Sequence, residues 1–215
     1  VVRDHCVAYI NGGHVFLVDM RNGVTLRISD SAKGNRNAGL TIGGDTSVAT
    51  VCDETRVYLY QISTQRLTTI GGVPGVKCSN SATDGESVIW YGVCDQTGIY
   101  SYDIKTQRYG GRIAEGISYL DIDNGLVVYL KPQGRVCHVY GIFTEPGSEE
   151  LRISTDIADQ GPSVSGNRVV WVKSNVVYCA ELDFGKAAVG KPLHQRPDLI
   201  TLPAVAGHAG DSRIS

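Results

Sequence analysis

Several features that would point directly to a function are missing from this sequence of 215 residues. No apolar run approaches the roughly 18 residues that cross a bilayer, and no basic segment followed by an apolar one marks a signal peptide. Twenty Lys and Arg stand against 22 Asp and Glu, without a block of like charge. The broad basic face of a nucleic-acid-binding protein is therefore absent. We expect no membrane insertion and no nucleic-acid partner.

Methionine is nearly absent as well: the chain contains only Met20 and begins at Val1, which fits a processed mature protein or a segment of a longer one. Its six cysteines are enough for three disulfides, but no pair has CxxC spacing, and free cysteines buried on strands explain the same count. There is no Asn-x-Ser/Thr sequon. We expect an extracellular or cell-surface location and leave a cytoplasmic one open.

What the sequence does contain is a repeat. The stretch "VCDETRVYLYQISTQR" (51–66) returns as "VCDQTGIYSYDIKTQR" (93–108), with ten of sixteen positions identical. Five apolar runs follow the same period: "VAYI", "VATV", "VIWY", "VVYL" and "VVWV", spaced by 41, 40, 39 and 42 residues. Self-similarity at a fixed period of this length is typical of a repeat architecture.

Each apolar run is the second of four predicted strands. A short segment ending in a Gly, Asp or Asn turn precedes four of the five runs, and these residues tolerate the positive φ of tight hairpins. A strand with period-two character follows each run, and a turn then leads to a last strand, such as "RLTTI" at Arg66. Four strands in about forty residues are typical of a propeller blade.

The sequence therefore predicts an all-β fold: a five-bladed β-propeller of four-stranded antiparallel blades in a single domain, 1–215. The first copy lacks its leading segment, while "LPAVAGHAGD" at Leu202 aligns with the segment that leads the fifth copy. We expect this C-terminal strand to complete the first blade and close the ring, which would remove open sheet edges. The predicted blades are 1–34 plus 202–215, 35–72, 73–113, 114–155 and 156–201. If the chain is a segment of a longer protein, a sixth blade could follow.

The pattern "DGESVIWYG…GIYSYDIKTQR" (84–108), echoed in "SGNRVVWVKSNVVYCAELD" (165–183), resembles the TolB-type and WD-like β-propeller repeat. In that family a blade reads as a turn, an apolar strand with Trp, and a Tyr-rich strand ending in Asp before a Thr-Gly turn. Here "STQR" and "KTQR" stand where a Gly-ended turn is usual. The resemblance implies a propeller over essentially the whole chain. It leaves the function open, because such propellers serve as binding platforms, lectins, enzyme domains and scaffolds.

Catalysis would need carboxylates near the propeller axis, since a glycosidase uses two of them about 5 to 10 Å apart. The candidates on innermost strands are Asp45, Asp84, Asp121 and Asp123, and a small glycan-active hydrolase or lyase would use Asp45 and Asp123. All four lie at predicted hairpin turns, where Asp is expected for backbone reasons. We therefore favour a protein without catalytic residues.

The sequence predicts no metal site and no cofactor. "DIDNG" (121–125) resembles the beginning of a calcium loop, but the later ligands and the closing Glu are missing at the needed spacing. The five histidines are scattered without a partner at ligand spacing, which argues against zinc.

The third position of the apolar run, the aromatic slot, holds a large ring in four of five copies. These rings could stack on sugars, with one site per blade, as in propeller lectins. They could equally pack between neighbouring sheets, where aromatic side chains bury a large area. We favour packing for the four residues of the slot, Tyr9, Trp90, Tyr129 and Trp171.

The doubled "CD(E/Q)T" segment falls in the loop between the second and third strands, and such loops gather on one face of a propeller. Repeated polar residues on one face suggest a binding surface, although duplication of a turn explains the same identity. The predicted ligand-binding residues are Asp53, Glu54, Asp95, Gln96, Lys131, Gln133, Lys173 and Asn175.

Our leading hypothesis is a non-catalytic binding module that presents this face to a glycan or a protein partner. The alternatives are the small glycan-active enzyme and a structural domain of a larger surface or assembly protein.

Overall fold

The computed structural model of the chain describes residues 2–3, 5–12, 14–27, 39–43, 46–50, 56–71, 77–93, 97–116, 119–155, 157–183 and 198–201. These residues form β-strands joined by turns, and no helix in them has the length and apolar character needed to span a bilayer. The strands belong to five four-stranded sheets.

The strands of each sheet follow one another in sequence. Sheet 1 contains β1 Val2–Arg3, β2 Cys6–Asn11, β3 His14–Asp19 and β4 Val24–Arg27. Sheet 2 contains β5 Gly39–Gly43, β6 Thr46–Thr50, β7 Arg56–Gln61 and β8 Arg66–Gly71. Sheet 3 contains β9 Lys77–Thr83, β10 Ser87–Val93, β11 Gly98–Asp103 and β12 Arg108–Ala114. Sheet 4 contains β13 Leu120–Asp123, β14 Leu126–Gln133, β15 Val136–Phe143 and β16 Leu151–Arg152. Sheet 5 contains β17 Gln160–Ser165, β18 Arg168–Lys173, β19 Val176–Asp183 and β20 Asp198–Thr201.

Every sheet is an antiparallel meander in which each strand pairs with the next strand of the chain. The five apolar runs found in the sequence form the second strands, and the predicted strands before and after them occupy the expected places. The all-β fold is therefore confirmed, and so are the four predicted strands of the second to fifth copies.

Tight turns form where the sequence supplies residues that accept positive φ. Asn124 (48°) and Gly125 (75°) join β13 to β14, and two positive φ angles in succession match a type I′ hairpin. The third hairpins of sheets 2 and 3 differ from the family pattern, because Gln65 (53°) and Gln107 (55°) occupy the left-handed position that Gly23 (69°) fills in sheet 1. The unusual "STQR" and "KTQR" segments thus form the same turn, with Gln in place of Gly at its left-handed position.

The sheets pack face to face in chain order, and the first strands lie beside one another in the order β1, β5, β9, β13, β17. Four apolar cores lie between neighbouring sheets. They contain Ala8, Leu17 and Tyr58 between sheets 1 and 2; Leu59, Trp90 and Tyr100 between sheets 2 and 3; Ile89, Ile99 and Tyr129 between sheets 3 and 4; and Val128, Val139 and Trp171 between sheets 4 and 5.

Hydrogen bonds from backbone N–H groups to Asp carboxylates join the first hairpins of successive sheets. Asp84 accepts a hydrogen bond from the Gly125 N–H at 2.8 Å, and Asp123 accepts one from the Gly166 N–H at 2.7 Å. Gly43 approaches sheet 3 so closely that a Cβ there would lie 2.0 Å from the carbonyl oxygen of Thr83. The first hairpins therefore lie together at one end of the strands, and the second hairpins lie at the opposite end of the strands.

The first sheet differs from the sequence prediction. Its leading strand is present, because Val2 and Arg3 pair with Val7 and Cys6, so the expectation that the first copy lacks this strand is wrong. Residues 202–215, which were expected to complete the first blade, lie outside the described residues. Ring closure by the C-terminal strand and the proposed blade boundaries stay predictions.

Candidate binding face

The second hairpins, which join the second strand of each sheet to the third, define the second-hairpin face. Of the predicted binding residues, Asp53, Glu54, Asp95 and Gln96 lie outside the described residues. The other four belong to sheets 4 and 5: Lys131 and Gln133 near the end of β14, and Lys173 and Asn175 at the hairpin after β18. Their role in binding stays a prediction, and the structure adds what each side chain contacts.

Lys131 belongs to a polar cluster on the side of sheet 4 that faces sheet 3. Its ammonium group forms an ion pair with Glu150 and lies 5.3 Å from the centre of the Tyr140 ring. The Glu150 carboxylate also accepts a hydrogen bond from the hydroxyl of Tyr129, which stacks on Tyr140 with ring centres 6.4 Å apart. The Lys131 charge is therefore balanced within its own sheet.

Burial raises the pKa of Tyr129 well above its ordinary value, and the hydrogen bond to Glu150 adds to the effect. This hydroxyl stays protonated at neutral pH and is a poor general base. The cluster is arranged to hold the end of sheet 4 and does not present a reactive group.

Gln133 continues the same row of side chains, because residues two apart on a strand share a side. Its amide donates a hydrogen bond to the Tyr140 hydroxyl at 2.5 Å. Next to it, the Arg152 guanidinium lies 3.0 Å from Nδ1 of His138 and also donates to the carbonyl oxygens of Ser154 and Thr155. The structure thus brings Lys131 and Gln133 together, and both side chains are engaged within sheet 4.

Asn175 is an exposed residue whose backbone explains its identity. Ser174 (50°) and Asn175 (62°) both have positive φ, as a type I′ hairpin requires, and Asn adopts this region more readily than most residues. The Ser174 N–H donates to the Asp159 carboxylate, which ties the hairpin to the connection that enters sheet 5. Lys173 is the last residue of β18 and lies beside this hairpin.

The sequence analysis missed a set of exposed apolar side chains on the second-hairpin face. One lies at the second hairpin in each of sheets 1, 3, 4 and 5, and two more lie where the chain enters the first strands of sheets 4 and 5. Their exposed fractions are Ile10 40%, Val93 44%, Val136 37%, Val176 38%, Tyr119 57% and Ile157 37%. A signal was available in the sequence, since four copies place a Val or Ile next to the second hairpin, where a turn normally carries polar residues.

Polar and basic groups accompany these apolar side chains. Arg135 is exposed in the turn of sheet 4. Arg112 donates to the Thr97 carbonyl at 3.1 Å and pairs with Glu115 at 3.0 Å. Exposed large apolar side chains also occur on the outer strands β4, β8 and β12 and in the turn before β4: Met20, Val24, Leu26, Leu67 and Tyr109. Exposed apolar side chains and polar groups are therefore both present on the second-hairpin face.

The acids considered for catalysis serve the first hairpins. Asp84 accepts hydrogen bonds from the backbone N–H groups of Glu86 and Ser87 in its own turn as well as from Gly125. Asp121 accepts from the hydroxyl of Ser163 and the N–H of Val164. Asp123 likewise accepts a hydrogen bond from the Gly166 N–H. These contacts favour the explanation that the acids are present to satisfy backbone groups. Asp45 lies outside the described residues.

A metal-ligand set is not formed by the described residues either: no three His, Cys, Asp or Glu side chains within them gather closely enough to hold an ion. Both acids of the "DIDNG" segment point their carboxylates at backbone and hydroxyl donors of sheet 5.

The rings of the aromatic slot pack between sheets in three of the four copies. Trp90, Tyr129 and Trp171 are buried, and each stacks on the ring opposite it on the third strand. These three rings are covered by neighbouring sheets and are not available to stack on a sugar. Tyr9 stacks on Phe16 in the same way but is 39% exposed.

The cysteines of the described residues do not form disulfides: Cys6 and Cys78 are buried, and Cys137 and Cys179 are partly buried. Three disulfides were one reading of the cysteine count. For these four residues the structure instead agrees with cysteines that lie on strands. Cys52 and Cys94 lie outside the described residues.

The arrangement of sheets is similar to solved β-propeller structures. TolB from Acinetobacter baumannii matches with a TM-score of 0.55 and 15% identity over 78% of this chain and 45% of that protein. TolB from Agrobacterium tumefaciens matches with a TM-score of 0.55 and 17% identity over 82% of this chain and 72% of that one. A chain in the crystal structure of a nidogen/laminin complex matches with a TM-score of 0.56 and 12% identity, over 81% and 73%.

No protein-family model matches the sequence, and no curated protein matches it. The likeness is therefore one of fold: the chain has the fold of a TolB-like β-propeller. It spans less than half the length of the Acinetobacter protein.

Proposed function

We propose that the chain is a non-catalytic binding module that docks a protein partner on its second-hairpin face. The observation that carries the proposal is the repeated apolar side chain at the second hairpins of four sheets, flanked by polar and basic groups. Exposed apolar side chains cost free energy in water, so a set repeated at one end of the molecule favours a surface that is covered in the working state.

Three further observations favour a protein over a glycan. Sugar stacking by the aromatic slot was the alternative to packing, and Trp90, Tyr129 and Trp171 are buried between sheets. The apolar residues at the second hairpins are aliphatic except for Tyr119, and aliphatic side chains suit a protein surface better than a sugar ring. One chain of similar fold was crystallised in a nidogen/laminin complex, which shows that this fold can belong to a protein assembly.

The enzyme alternative has less support. The described acids near the first hairpins accept hydrogen bonds from backbone groups of their own or the next sheet, which uses the oxygens that would otherwise meet a substrate. A structural domain of a larger surface or assembly protein remains compatible with a docking face, since the assembly itself would then supply the partner.

The proposal is tested by site-specific capture followed by a binding measurement. A photo-reactive phenylalanine at position 119, on the second-hairpin face, should capture a defined protein that the same residue at position 20, on the opposite end, does not capture. The captured protein, once purified, should bind the chain directly. A glycan array run with the same preparation should show no defined sugar.

A matched pair of valines provides the control. Val136→Asp changes a residue on the second-hairpin face that is 37% exposed, and Val24→Asp changes one on an outer strand that is 54% exposed. We expect Val136→Asp to weaken binding by about tenfold or more and Val24→Asp to leave Kd unchanged, since few interface positions carry most of the binding free energy. Equal effects of the two variants, or capture from both positions, would contradict the proposal.

We also propose an extracellular or cell-surface location; its support is the cysteine count of the sequence alone, because no disulfide joins the four described cysteines. Cell fractionation of the tagged native protein decides this point. Recovery in the cytosolic fraction would overturn it without affecting the docking proposal.

A further inference from the structure

Sheet 1 and sheet 5, the first and last of the described sheets, each have an apolar side that no other described sheet covers. In sheets 3, 4 and 5 the aromatic slot faces the preceding sheet, and its rings are 1% (Trp90), 0% (Tyr129) and 4% (Trp171) exposed. In the described part of the chain, no sheet packs on the corresponding side of sheet 1. Its slot residue Tyr9 is 39% exposed, and Phe16, which stacks on it, is partly buried.

The opposite side of sheet 5 shows the complementary situation. The residue before the slot faces the following sheet, and it is 0% exposed in sheet 3 (Ile89) and sheet 4 (Val128) but 38% exposed in sheet 5 (Val170). Val177, opposite Val172 on the third strand, is 56% exposed. Among the residues that the structure describes, no sheet covers this aliphatic side of sheet 5.

The contacts inside the chain show what fits these two sides. Between sheets 4 and 5, the aromatic slot of one sheet, Trp171, packs on the aliphatic side of the other, at Val128 and Val139. The contact between sheets 3 and 4 has the same polarity, with Tyr129 on Ile89 and Ile99. The Tyr9 side of sheet 1 is therefore of the aromatic type, and the Val170 side of sheet 5 is of the aliphatic type on which aromatic sides pack inside the chain.

We propose that two copies of the chain associate head to tail, with the Tyr9–Phe16 side of sheet 1 in one copy packed on the Val170–Val177 side of sheet 5 in the other. The contact continues the interface that already joins neighbouring sheets. If sheets 1 and 5 of one chain packed on each other, Tyr9 and Val170 would be as buried as Tyr129 and Val128. Instead, Tyr9 and Val170 are each more than a third exposed. The proposal concerns a different surface from the second-hairpin face and stands independently of it.

A head-to-tail contact is heterologous, because each copy contributes a different side. Each added copy leaves one Tyr9 side and one Val170 side free, so the association continues until a ring closes or a chain of copies forms. The prediction is self-association that grows with protein concentration.

Sedimentation velocity of the purified chain over a wide range of concentrations tests the proposal, with two variants that each damage one side. Tyr9→Asp and Val170→Asp should each sediment as a monomer, since a carboxylate placed in an apolar contact is costly to bury. An equal mixture of the two should form a dimer and nothing larger, because one intact side remains on each variant. Val24→Asp, at an exposed valine on outer strand β4, should associate like the unmodified protein.

A wild-type chain that stays monomeric at every concentration would overturn the proposal. Ring closure within the chain gives this outcome, and Tyr9→Asp and Val170→Asp would then lower the melting temperature of a monomer. A mixture of the two variants that stays monomeric while the wild type associates would also overturn it, since that result places the contact elsewhere.

Discussion

At the residue scale, Tyr129 and Lys131 of sheet 4 share one partner, the carboxylate of Glu150. The aromatic slot could be read from the repeat, because Tyr129 and Trp171 recur at a fixed place in an apolar strand. The ion pair of Lys131 with Glu150 could not, because Glu150 lies in a loop of sheet 4 that has no counterpart in the other copies. Contacts of this kind depend on how two strands far apart in sequence come together in three dimensions.

Tyr129→Phe tests the polar cluster of sheet 4. Removing the hydroxyl takes away the hydrogen bond to Glu150, and we expect the free energy of unfolding at pH 7 to fall by about 1 to 2 kcal/mol. Because the folded state raises the pKa of Tyr129, its contribution is fully present below the unfolded pKa near 10 and is lost as the pH rises beyond that value. The variant should therefore lose stability less steeply above pH 10 than the wild type.

Urea unfolding at a series of pH values gives both quantities. Tyr119→Phe serves as the control, since Tyr119 is 57% exposed. Identical alkaline slopes in the wild type and Tyr129→Phe would contradict the account of the cluster.

Gln107→Gly tests the unusual third hairpin of sheet 3. Gln107 has a φ of 55°, a left-handed conformation that costs an L-residue about 1 to 2 kcal/mol. Gly avoids this cost, but part of the benefit is lost because a Gly in the unfolded chain has more conformational entropy. We expect the variant to be more stable by about 0.5 to 1 kcal/mol. Gly23→Ala, at the equivalent position in sheet 1 with no atom near the added Cβ, should lose stability. Shifts of the melting temperature in the same direction for both variants would refute this explanation.

At the element scale, the period of the repeat predicted the strands because it reports two constraints at once. Alternation of apolar and polar residues specifies a strand, and a turn residue at a fixed offset ends it. The prediction was wrong at β1, where a two-residue strand is too short to give a pattern. The contacts between first hairpins were not predicted, because the sequence shows Asp84 and Asp123 as turn residues and does not show which neighbouring backbone they meet.

Asp123→Ala tests the link between sheets 4 and 5. The variant loses the acceptor for the Gly166 N–H, and we expect a loss of about 1 to 2 kcal/mol in the free energy of unfolding. Asp123→Asn keeps a carbonyl oxygen in the same place and should recover part of the loss. Chemical denaturation compares the three proteins. Full stability in the alanine variant, with loss of turnover on a glycan, would instead favour the enzyme alternative.

At the scale of the whole molecule, five sheets in series present three distinct kinds of surface. The first-hairpin end is tied together by hydrogen bonds from backbone N–H groups to Asp carboxylates, the second-hairpin face carries exposed apolar side chains, and the two terminal sides of the series expose the residues that other sheets bury. Period and turn chemistry were enough to predict the series of sheets. The proposed docking face was predicted only as a place: four copies carry a Val or Ile next to the second hairpin, but the exposure of Val136 and Val176 does not follow from the sequence.

Hydrogen–deuterium exchange of the chain, alone and with the protein captured through position 119, tests the central claim most directly. The account predicts slower exchange at the second hairpins of sheets 4 and 5, in peptides that cover 131–137 and 172–178, and unchanged exchange at the first hairpins, in peptides that cover 83–87 and 123–127. Slower exchange confined to the first hairpins, or no difference at either end, would contradict it.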